Sequence, residues 1–328
     1  MKHNYSLEGY AYRLRPVKIS DSSFIVEVRL EDGERNRFIH KISTDVSLEE
    51  QWIERYFQRP DDYLFIIENR ITGEREGIIS IYDIRHDCNE AEWGRWVVKK
   101  GSFAAVESVY LIYRIAFEQV GLNALHCETI EKNEAVVSFH DSIGEEKVCV
   151  REGSIELDGL VYNSVIHAAD RERFYSVIAP KAEGTSLKIL RRNLKKAVGN
   201  WRFDHIGIAT KSIMRELPTY TLLGYEKDGE IFEDEQQGIR GLFLTQSGHP
   251  RLELLENLDG SETISNFLKT NSKMYHRAYF VEDIENAVCV LTRNHAKIIS
   301  PLKQSVYFKK RICFLILKNM EMVELLES

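Results

Sequence analysis

The sequence predicts an α/β (α+β) protein of two domains, an N-terminal mixed sheet with helices and a C-terminal pair of βαβββ modules. The 328 residues exceed what one hydrophobic core usually organises. Strand and helix signals alternate through the first half, and the last part of the chain repeats one unit twice. We therefore expect a first domain over residues 1–178, a basic helical linker over 179–200 and a second domain over 201–328.

Hydrophobic periodicity predicts the elements of the first half. The predicted strands cover residues 12–16, 63–68, 77–82, 93–98, 124–130, 147–152 and 160–167, and the predicted helices cover 21–29, 47–58, 104–120 and 134–143. We interpret Tyr110, Tyr113 and Phe117 as the core-facing side of the third helix. In the linker, SLKILRRNLKKAV predicts a basic amphipathic helix with a solvated charged face; binding of an acidic substrate or of the other domain is the alternative.

Composition excludes several classes of function. A formal net charge of -7 and a pI of about 5.9 give no overall attraction for nucleic acid or for an anionic membrane. We find no apolar run long enough for a membrane span or a signal peptide, so we expect a cytoplasmic protein without nucleic-acid or membrane partners. The five cysteines are scattered and include no Cys-x-x-Cys pair, which indicates reduced thiols.

Four polar residues stand inside apolar strands of the duplicated unit. His205 and His276 lie in the opening strands of the two copies, and Glu253 and Glu324 lie in the closing strands. Because strand side chains alternate between faces, each of them projects into a core or into a shared cavity. A carboxylate buried among leucines is unfavourable unless a cation neutralises it. Two imidazoles and two carboxylates suit a divalent zinc, nickel, cobalt or manganese ion, so we predict a metal site.

These strands also carry a family resemblance. FDHIGIAT, RLELLEN, MYHRAYFVEDI and MVELLES resemble motifs of the vicinal-oxygen-chelate superfamily, particularly its methylmalonyl-CoA epimerase and glyoxalase I branches, over about residues 201–328. The resemblance implies that His205, Glu253, His276 and Glu324 are the metal ligands, and that a metal-stabilised enolate forms while a carboxylate moves the proton. The epimerases place that carboxylate before a Gln-Gly pair. Here the position is Gln236, so Glu235 or Glu324 is the expected base.

A junction in the first half predicts an anion site. VVKKGSFAAVESVYLIYRIAF joins a strand to a long helix through a short loop. Backbone N–H groups in such a loop, together with the helix dipole, attract anions. Lys99 and Lys100 add positive charge. We therefore expect a pyrophosphate to bind there.

This junction belongs to a second resemblance. LRPVKISD, EWGRWVVKKGSFAAVES and ETIEKNEAVVSFHDSIG resemble the GNAT acetyltransferases, in the branch of the ribosomal-protein, spermidine and nucleotide-linked amino-sugar acetyltransferases, over about residues 12–174. The resemblance implies acetyl-CoA, or another acyl-CoA, as cofactor. The residues that it assigns to CoA binding are Val98, Lys100, Gly101, Ser102, Phe103, Ala104, Ala105 and Asn133. Phe103 replaces a family glycine, and its side chain narrows the approach to the phosphate.

The same resemblance implies two catalytic residues. His140, seven residues after Asn133, stands where the family commonly has the Tyr that protonates the leaving thiolate, and histidine can donate a proton at neutral pH. Glu145 replaces the usual Phe after Gly144. Glu92 is the expected base for the amine, directly or through water, and a structural surface role is its alternative.

We thus expect a bifunctional metabolic enzyme that acylates a small amine, such as an amino sugar, and carries a metal-dependent glyoxalase- or epimerase-like domain. In one alternative only the metal domain is catalytic, as an epimerase, isomerase or lyase, and the first domain binds a CoA ester. In another the chain is a non-catalytic ligand-binding module. A homodimer is left open.

Overall fold

The computed structural model describes residues 2–31 and 33–328, and the chain divides into two compact units, Met1–Asn193 and Leu194–Ser328. Each unit contains one mixed β-sheet with helices, which confirms the predicted fold class. The division falls inside the helix Ala179–Val198, in the segment that the sequence assigned to a linker. Ala179 and Ala182 are buried in the core of the first unit, so the beginning of this helix belongs to that unit.

The first unit is built on an eight-stranded sheet. Its strands are β1 (Leu7–Glu8), β2 (Tyr12–Pro16), β3 (Tyr63–Asn69), β4 (Arg75–Arg85), β5 (Glu90–Val98), β6 (Ala124–Ile130), β7 (Glu146–Leu157) and β8 (Leu160–Asp170). They lie in the order β1-β2-β3-β4-β5-β6-β8-β7. The neighbours β5 and β6 are parallel, whereas the other neighbours are antiparallel.

The parallel pair in the middle of this sheet is incomplete. β5 and β6 pair from Glu90 opposite Ala124 to Glu92 opposite His126, and the remainder of each strand continues without the other. Strands stay about 4.8 Å apart only while they share hydrogen bonds. The two strands therefore part beyond Glu92 and leave a cleft in the sheet.

Helices cover this sheet. They are α1 (Ser22–Leu30), α2 (Val46–Tyr56), α3 (Ala105–Arg114), α4 (Glu134–Ile143), α5 (Arg171–Arg173) and α6 (Ala179–Val198). The single helix predicted over 104–120 is α3 followed by a π-helical end, Ile115–Val120, which closes at Gly121 with a φ of 89°. Tyr110, Tyr113 and Phe117 are buried in the core, as predicted.

The second unit contains a nine-stranded sheet. Its strands are β9 (Arg202–Ala209), β10 (Glu226–Lys227), β11 (Phe232–Asp234), β12 (Ile239–Thr245), β13 (Arg251–Asn257), β14 (Met274–Val281), β15 (Lys297–Gln304), β16 (Arg311–Ile316) and β17 (Met322–Glu327). Its helices are α7 (Ile213–Leu222), α8 (Ser265–Lys269) and α9 (Ile284–Arg293).

The duplication predicted from the sequence is visible in this topology. The strand order is β10-β12-β13-β9-β14-β17-β16-β15, with β11 beside β12. In each module the last strand pairs parallel with the first, and the two first strands, β9 and β14, pair antiparallel. The opening and closing strands of both modules therefore meet at the centre of one sheet.

None of the described helices combines the length and the apolar composition needed to cross a bilayer.

Candidate functional sites

Four side chains of the second unit converge at the centre of its sheet. The Nε2 atoms of His205 and His276 lie 3.0 Å apart. Oε2 of Glu253 lies 3.3 Å and 3.4 Å from these two nitrogens, and Oε2 of Glu324 lies 3.5 Å and 3.2 Å from them. All four side chains are buried, and one ligand atom from each lies within 4.8 Å of the others. The structure thus brings together the four residues that the sequence predicted as metal ligands.

Strand register produces this convergence. Gly207 of β9 lies opposite both Glu253 of β13 and His276 of β14. A Cβ atom on Gly207 would clash with Cε1 and Nδ1 of the His276 ring. Because Gly207 has no side chain, the His276 imidazole can occupy this space. Gly207 is therefore a site-forming residue that sequence reasoning missed.

The charges of the cluster are compensated internally. The Nδ1 atom of His205 lies 2.9 Å from Oδ2 of Asp204, which leaves Nε2 for the cluster. Burial opposes the charged ring, but the Glu253 carboxylate and hydrogen bonds to Asp204, Glu253 and Glu324 raise the pKa of His205 well above its usual range. Burial also opposes the charge on Glu324, but hydrogen bonds from His205 and His276 lower the pKa of that carboxyl. Two buried carboxylates therefore require positive charge beside them.

This donor set fits a divalent cation. Two imidazole nitrogens and two carboxylate oxygens match the ligand preference of zinc and similar ions, and they leave coordination positions open. The carboxylate of Asp204 would orient His205, as carboxylates behind metal-bound histidines commonly do. The buried Nδ1 atom of His276, by contrast, has no hydrogen-bond partner within residues 2–31 and 33–328.

Aromatic rings enclose the two histidines. Phe308 is stacked with His205 at a centroid distance of 5.9 Å, and Phe243 meets the same ring edge-on at 5.1 Å. Phe314 meets His276 edge-on at 5.3 Å. Such apolar walls lower the local dielectric and strengthen charge interactions inside the cluster.

An arginine links one of these walls to the cluster. Nη1 of Arg251 lies 3.4 Å from Oδ2 of Asp204, and Nη2 of Arg251 donates to the Tyr307 hydroxyl at 3.0 Å. Tyr307 precedes Phe308 in the second module, whereas Arg251 belongs to the first. Sequence reasoning missed both residues, because the contact joins segments of the two modules that no local pattern relates.

Glu235, the predicted alternative base, lies apart from these contacts. It is exposed in the turn between β11 and β12, and none of the contacts described for this chain joins it to the four buried residues. The adjacent Asp234 is buried and accepts hydrogen bonds from the backbone and side-chain amides of Gln237, both at 2.9 Å. The role of Glu235 as a base stays a prediction.

The first unit contains a cavity of about 320 Å³ where β5 and β6 part. The lining residues that matter below are Arg29, Trp93, Arg95, Cys127, Glu128 and His140. A bulge in β5 places Arg95 and Trp96 against the single residue Ile79, and Arg95 has a φ of 45°. Bulges of this kind redirect a strand and its side chains next to functional sites.

His140 and Glu145 form a buried pair beside this cavity. Nδ1 of His140 lies 2.6 Å from Oε2 of Glu145, and the Tyr113 hydroxyl donates to the other carboxylate oxygen at 2.6 Å. With Nδ1 held by Glu145, Nε2 is the ring nitrogen left for exchange with a bound molecule. Glu145, which the sequence marked only as a departure from the family pattern, is thus the partner of the candidate acid.

Cys127 adjoins this pair. Its sulfur lies 3.7 Å from both ring nitrogens of His140, and the three residues Cys127, His140 and Glu145 place one ligand atom each within 4.8 Å of one another. Burial, reinforced by the Glu145 charge, raises the pKa of the Cys127 thiol well above its usual range. A neutral thiol is a weak nucleophile and a weak metal ligand, so its environment is that of a packing residue.

Glu92 lies at the point where the two strands part. Its Oε1 accepts a hydrogen bond of 2.6 Å from the Tyr82 hydroxyl, and its Oε2 lies 4.0 Å from Nε2 of His126. Burial, with a contribution from Glu128, raises the pKa of Glu92. A raised pKa suits a carboxylate that accepts a proton, although Glu92 is not among the residues that line the cavity.

The predicted phosphate loop already holds a carboxylate. The backbone N–H of Lys100 donates to Oε2 of Glu31 at 2.6 Å, and Lys99 Nζ lies 3.5 Å from Oε1 of Glu27. Ser102 bonds to Glu76 and accepts from the Ala104 backbone N–H at 3.0 Å. The carboxylates of Glu27 in α1 and of Glu31, the residue that follows this helix, thus stand at the loop where the sequence predicted pyrophosphate.

The other predicted CoA residues differ in their surroundings. Val98, Ala105 and Asn133 line a second cavity of about 390 Å³. Gly101 has a φ of 78°, and a Cβ there would meet nothing within 4 Å. The exposed ring of Phe103 is covered by the guanidinium of Arg192 at 4.0 Å.

Comparison with known families accounts for both units. Residues 12–146 match the model of the acetyltransferase (GNAT) domain, and residues 204–314 match that of the glyoxalase/bleomycin resistance protein/dioxygenase superfamily. The chain joins a GNAT acetyltransferase domain to a glyoxalase-superfamily domain. GNAT domains use acetyl-CoA, and domains of the second family often bind divalent metals.

Individual relatives fall into the same two groups. The mitochondrial methylmalonyl-CoA epimerase of Dictyostelium discoideum is 27% identical over 140 residues, which are 42% of this chain and 84% of that protein. Apo FdhC, described as a nucleotide-linked sugar GNAT, is 25% identical with a TM-score of 0.47, covering 55% of this chain and 98% of its own. A GCN5-related N-acetyltransferase from Brucella melitensis is 15% identical with a TM-score of 0.49, covering 57% of this chain and 86% of its own.

Proposed function

We propose that the chain is a bifunctional enzyme. Its acetyltransferase domain transfers an acyl group from acetyl-CoA, or from another acyl-CoA, to a small amine such as an amino sugar. Its glyoxalase-superfamily domain carries out a metal-dependent isomerase or lyase reaction on a related or CoA-linked compound. A cytoplasmic location, without nucleic-acid or membrane partners, is part of the proposal.

The observation that carries the acyltransferase function is the cavity between the parting ends of β5 and β6, with the buried His140–Glu145 pair beside it. In the proposed step, the amine nitrogen attacks the thioester carbonyl and the carbon–sulfur bond breaks. Nε2 of His140 gives a proton to the leaving thiolate, and Glu92 accepts a proton from the amine through water. Positioned acid and base groups of this kind typically accelerate a reaction by about 10² to 10⁴-fold.

The four-residue cluster supports the second function. His205, Glu253, His276 and Glu324 would hold the metal, and Asp204 would orient His205. A bound divalent ion would supply Lewis-acid chemistry at substrate oxygens. Glu324 is the better placed of the two proposed proton carriers, because it belongs to the cluster while Glu235 is exposed. The name of the epimerase relative supports a CoA ester as substrate.

Two measurements test the proposal. Calorimetric titration with acetyl-CoA, followed by an assay of thiol release with a panel of amines, tests the first domain. Binding is expected below about 1 mM, the upper range of common Michaelis constants, and its absence would remove the acyltransferase function. Elemental analysis of protein purified without chelators tests the second domain, and we expect one divalent ion per chain. A metal-free chain that also fails to take up zinc, nickel, cobalt or manganese would refute the metal-dependent reaction.

A further inference from the structure

One charged side chain in the acetyltransferase cavity has a buried donor atom without a hydrogen-bond partner in the part of the chain that the structure describes. Arg29 lies in the last turn of α1, whose residues Phe24, Ile25 and Val28 are buried in an apolar core. Its side chain lines the cavity where β5 and β6 part. This position places a guanidinium group on the wall of the proposed substrate cleft.

The hydrogen bonds of Arg29 are incomplete. Nη2 of Arg29 donates to the backbone carbonyl of His40 at 2.7 Å, which fixes the position of the guanidinium group. Nε is buried and has no hydrogen-bond partner within residues 2–31 and 33–328. The Arg29 side chain as a whole is half-buried, so the unfavourable feature is its buried Nε donor, which an anion bound in the cavity could satisfy.

Two charged neighbours act on Arg29 in opposite directions. Burial lowers the pKa of Arg29, the buried Glu49 of α2 opposes this effect, and Arg95 adds to it. Arg95, the second arginine of the cavity wall, is itself paired with Asp62 at 2.6 Å and packed over the Tyr82 ring at 4.4 Å. Arg29 is thus attracted by the Glu49 carboxylate and repelled by Arg95, and neither residue accepts a hydrogen bond from its buried Nε.

The cavity is electrically two-sided. Arg29 and Arg95 contribute positive charge from α1 and β5, whereas Glu128 of β6, which also lies 3.7 Å from Arg151 and accepts a hydrogen bond from the Ser164 hydroxyl, contributes a carboxylate. His140 lines the same cavity and is the proposed proton donor. A substrate that carries an amine and an anion would satisfy both sides, whereas a simple amine would leave Arg29 unpaired.

We infer that the acceptor amine also carries a phosphate or carboxylate group and that Arg29 binds this group, which makes Arg29 a specificity-determining residue. The inference rests on the proposed acyltransferase function. A charge-assisted hydrogen bond contributes about 1.5–3 kcal/mol, which corresponds to a preference of about tenfold to 100-fold for the anionic amine.

The test compares matched amines on the full chain. Glucosamine, glucosamine 6-phosphate and 2-amino-2-deoxyglucuronate share the same pyranose ring and amine and carry at C6 no anion, a phosphate and a carboxylate, respectively. Their kcat/KM values are measured by thiol release from acetyl-CoA, and their affinities are measured by calorimetry in the presence of CoA. We expect an anionic member to exceed glucosamine by at least about tenfold in one of the two measurements. The member that gains more identifies the anion.

Variants connect the preference to Arg29. Arg29→Met should bring the ratio of kcat/KM for the anionic amine to kcat/KM for glucosamine close to one, whatever its effect on the absolute rates, and Arg29→Lys should retain part of the wild-type ratio. Arg55→Met, at an exposed arginine of α2, is the matched control and should behave like the wild type. Thermal melting checks that each variant is folded.

Three outcomes would overturn the inference. Equal kcat/KM and equal affinity for all three amines would exclude anion recognition. An unchanged preference in Arg29→Met would assign it to another residue. A weaker affinity for acetyl-CoA in Arg29→Met, with no change in amine preference, would assign Arg29 to the phosphates of the cofactor. If acetyl-CoA does not bind at all, the proposed acyltransferase function fails, while amine affinity still tests Arg29 separately.

Discussion

The metal cluster and the acyl-transfer cleft are assembled in different ways. The cluster takes one His and one Glu from each copy of a duplicated unit, and strand pairing alone brings the four together. The cleft takes residues from two parting strands, from α1 and α4, and from the turn after α4. The sequence repeat thus allows the residues of the metal cluster to be predicted. The acyl-transfer cleft depends on contacts between segments that are not related by a repeat.

The largest expected effect tests the symmetric site. His276→Ala removes one of two imidazoles and leaves two buried carboxylates, so we expect divalent-ion affinity to fall by more than about 100-fold. This loss exceeds the one that is typical when a residue hydrogen-bonded to a metal ligand is replaced. Zinc titration and elemental analysis measure this. Glu253→Gln is the matched control, since it keeps an oxygen donor at its position in the cluster. Equal ion content in the wild type and in His276→Ala would contradict the assignment of His276 as a metal ligand.

The next effect tests the asymmetric site. His140→Asn should lower kcat by about 100-fold or more through loss of the proton donor, with little change in the KM for acetyl-CoA. Glu145→Gln should lower kcat less. Because the two residues act as one pair, the double variant should lose no more than His140→Asn alone. Additive losses in steady-state kinetics would show that Glu145 does not act through His140.

A backbone change probes the cluster without removing a ligand. Gly207→Ala places a Cβ against the His276 ring, which must then shift. Overpacking of this kind typically destabilises by about 1–3 kcal/mol, and we expect ion affinity to fall by about tenfold. The control is Gly184→Ala in α6, where a Cβ would meet nothing within 4 Å. Unchanged zinc affinity in Gly207→Ala would show that the cluster tolerates displacement of His276.

The smallest effect concerns the phosphate loop. Glu31 accepts the Lys100 backbone N–H, and its carboxylate competes with any phosphate at that position. Glu31→Gln removes the negative charge and should tighten acetyl-CoA binding about threefold to tenfold, as expected for a partly exposed charge interaction. Glu54→Gln, an exposed residue of α2, is the control. Weaker binding in Glu31→Gln, measured by calorimetry, would contradict the competition.

Prediction from the sequence succeeded where the signal was local and periodic. The strand 124–130 and the helix 134–143 agree residue for residue with β6 and α4. The π-helical end at Ile115–Val120 was not predicted, because its side-chain pattern suits an α-helix equally well. The sequence of the linker predicted a solvated helix. The burial of Ala179 and Ala182 in the core of the first unit was not predicted, because two small side chains give only a weak hydrophobic pattern.

By itself, the sequence determined the two-domain α/β fold, the duplicated βαβββ unit and the four residue types of the cluster, because periodicity and repetition are local properties of a chain. Only the tertiary structure decided that Glu145 pairs with His140, that Gly207 makes room for His276 and that Arg29, which lines the cavity, has a buried Nε without a hydrogen-bond partner among the described residues. These contacts join distant segments or depend on packing, and the neighbours of a residue in the folded protein cannot be predicted from its charge or size alone.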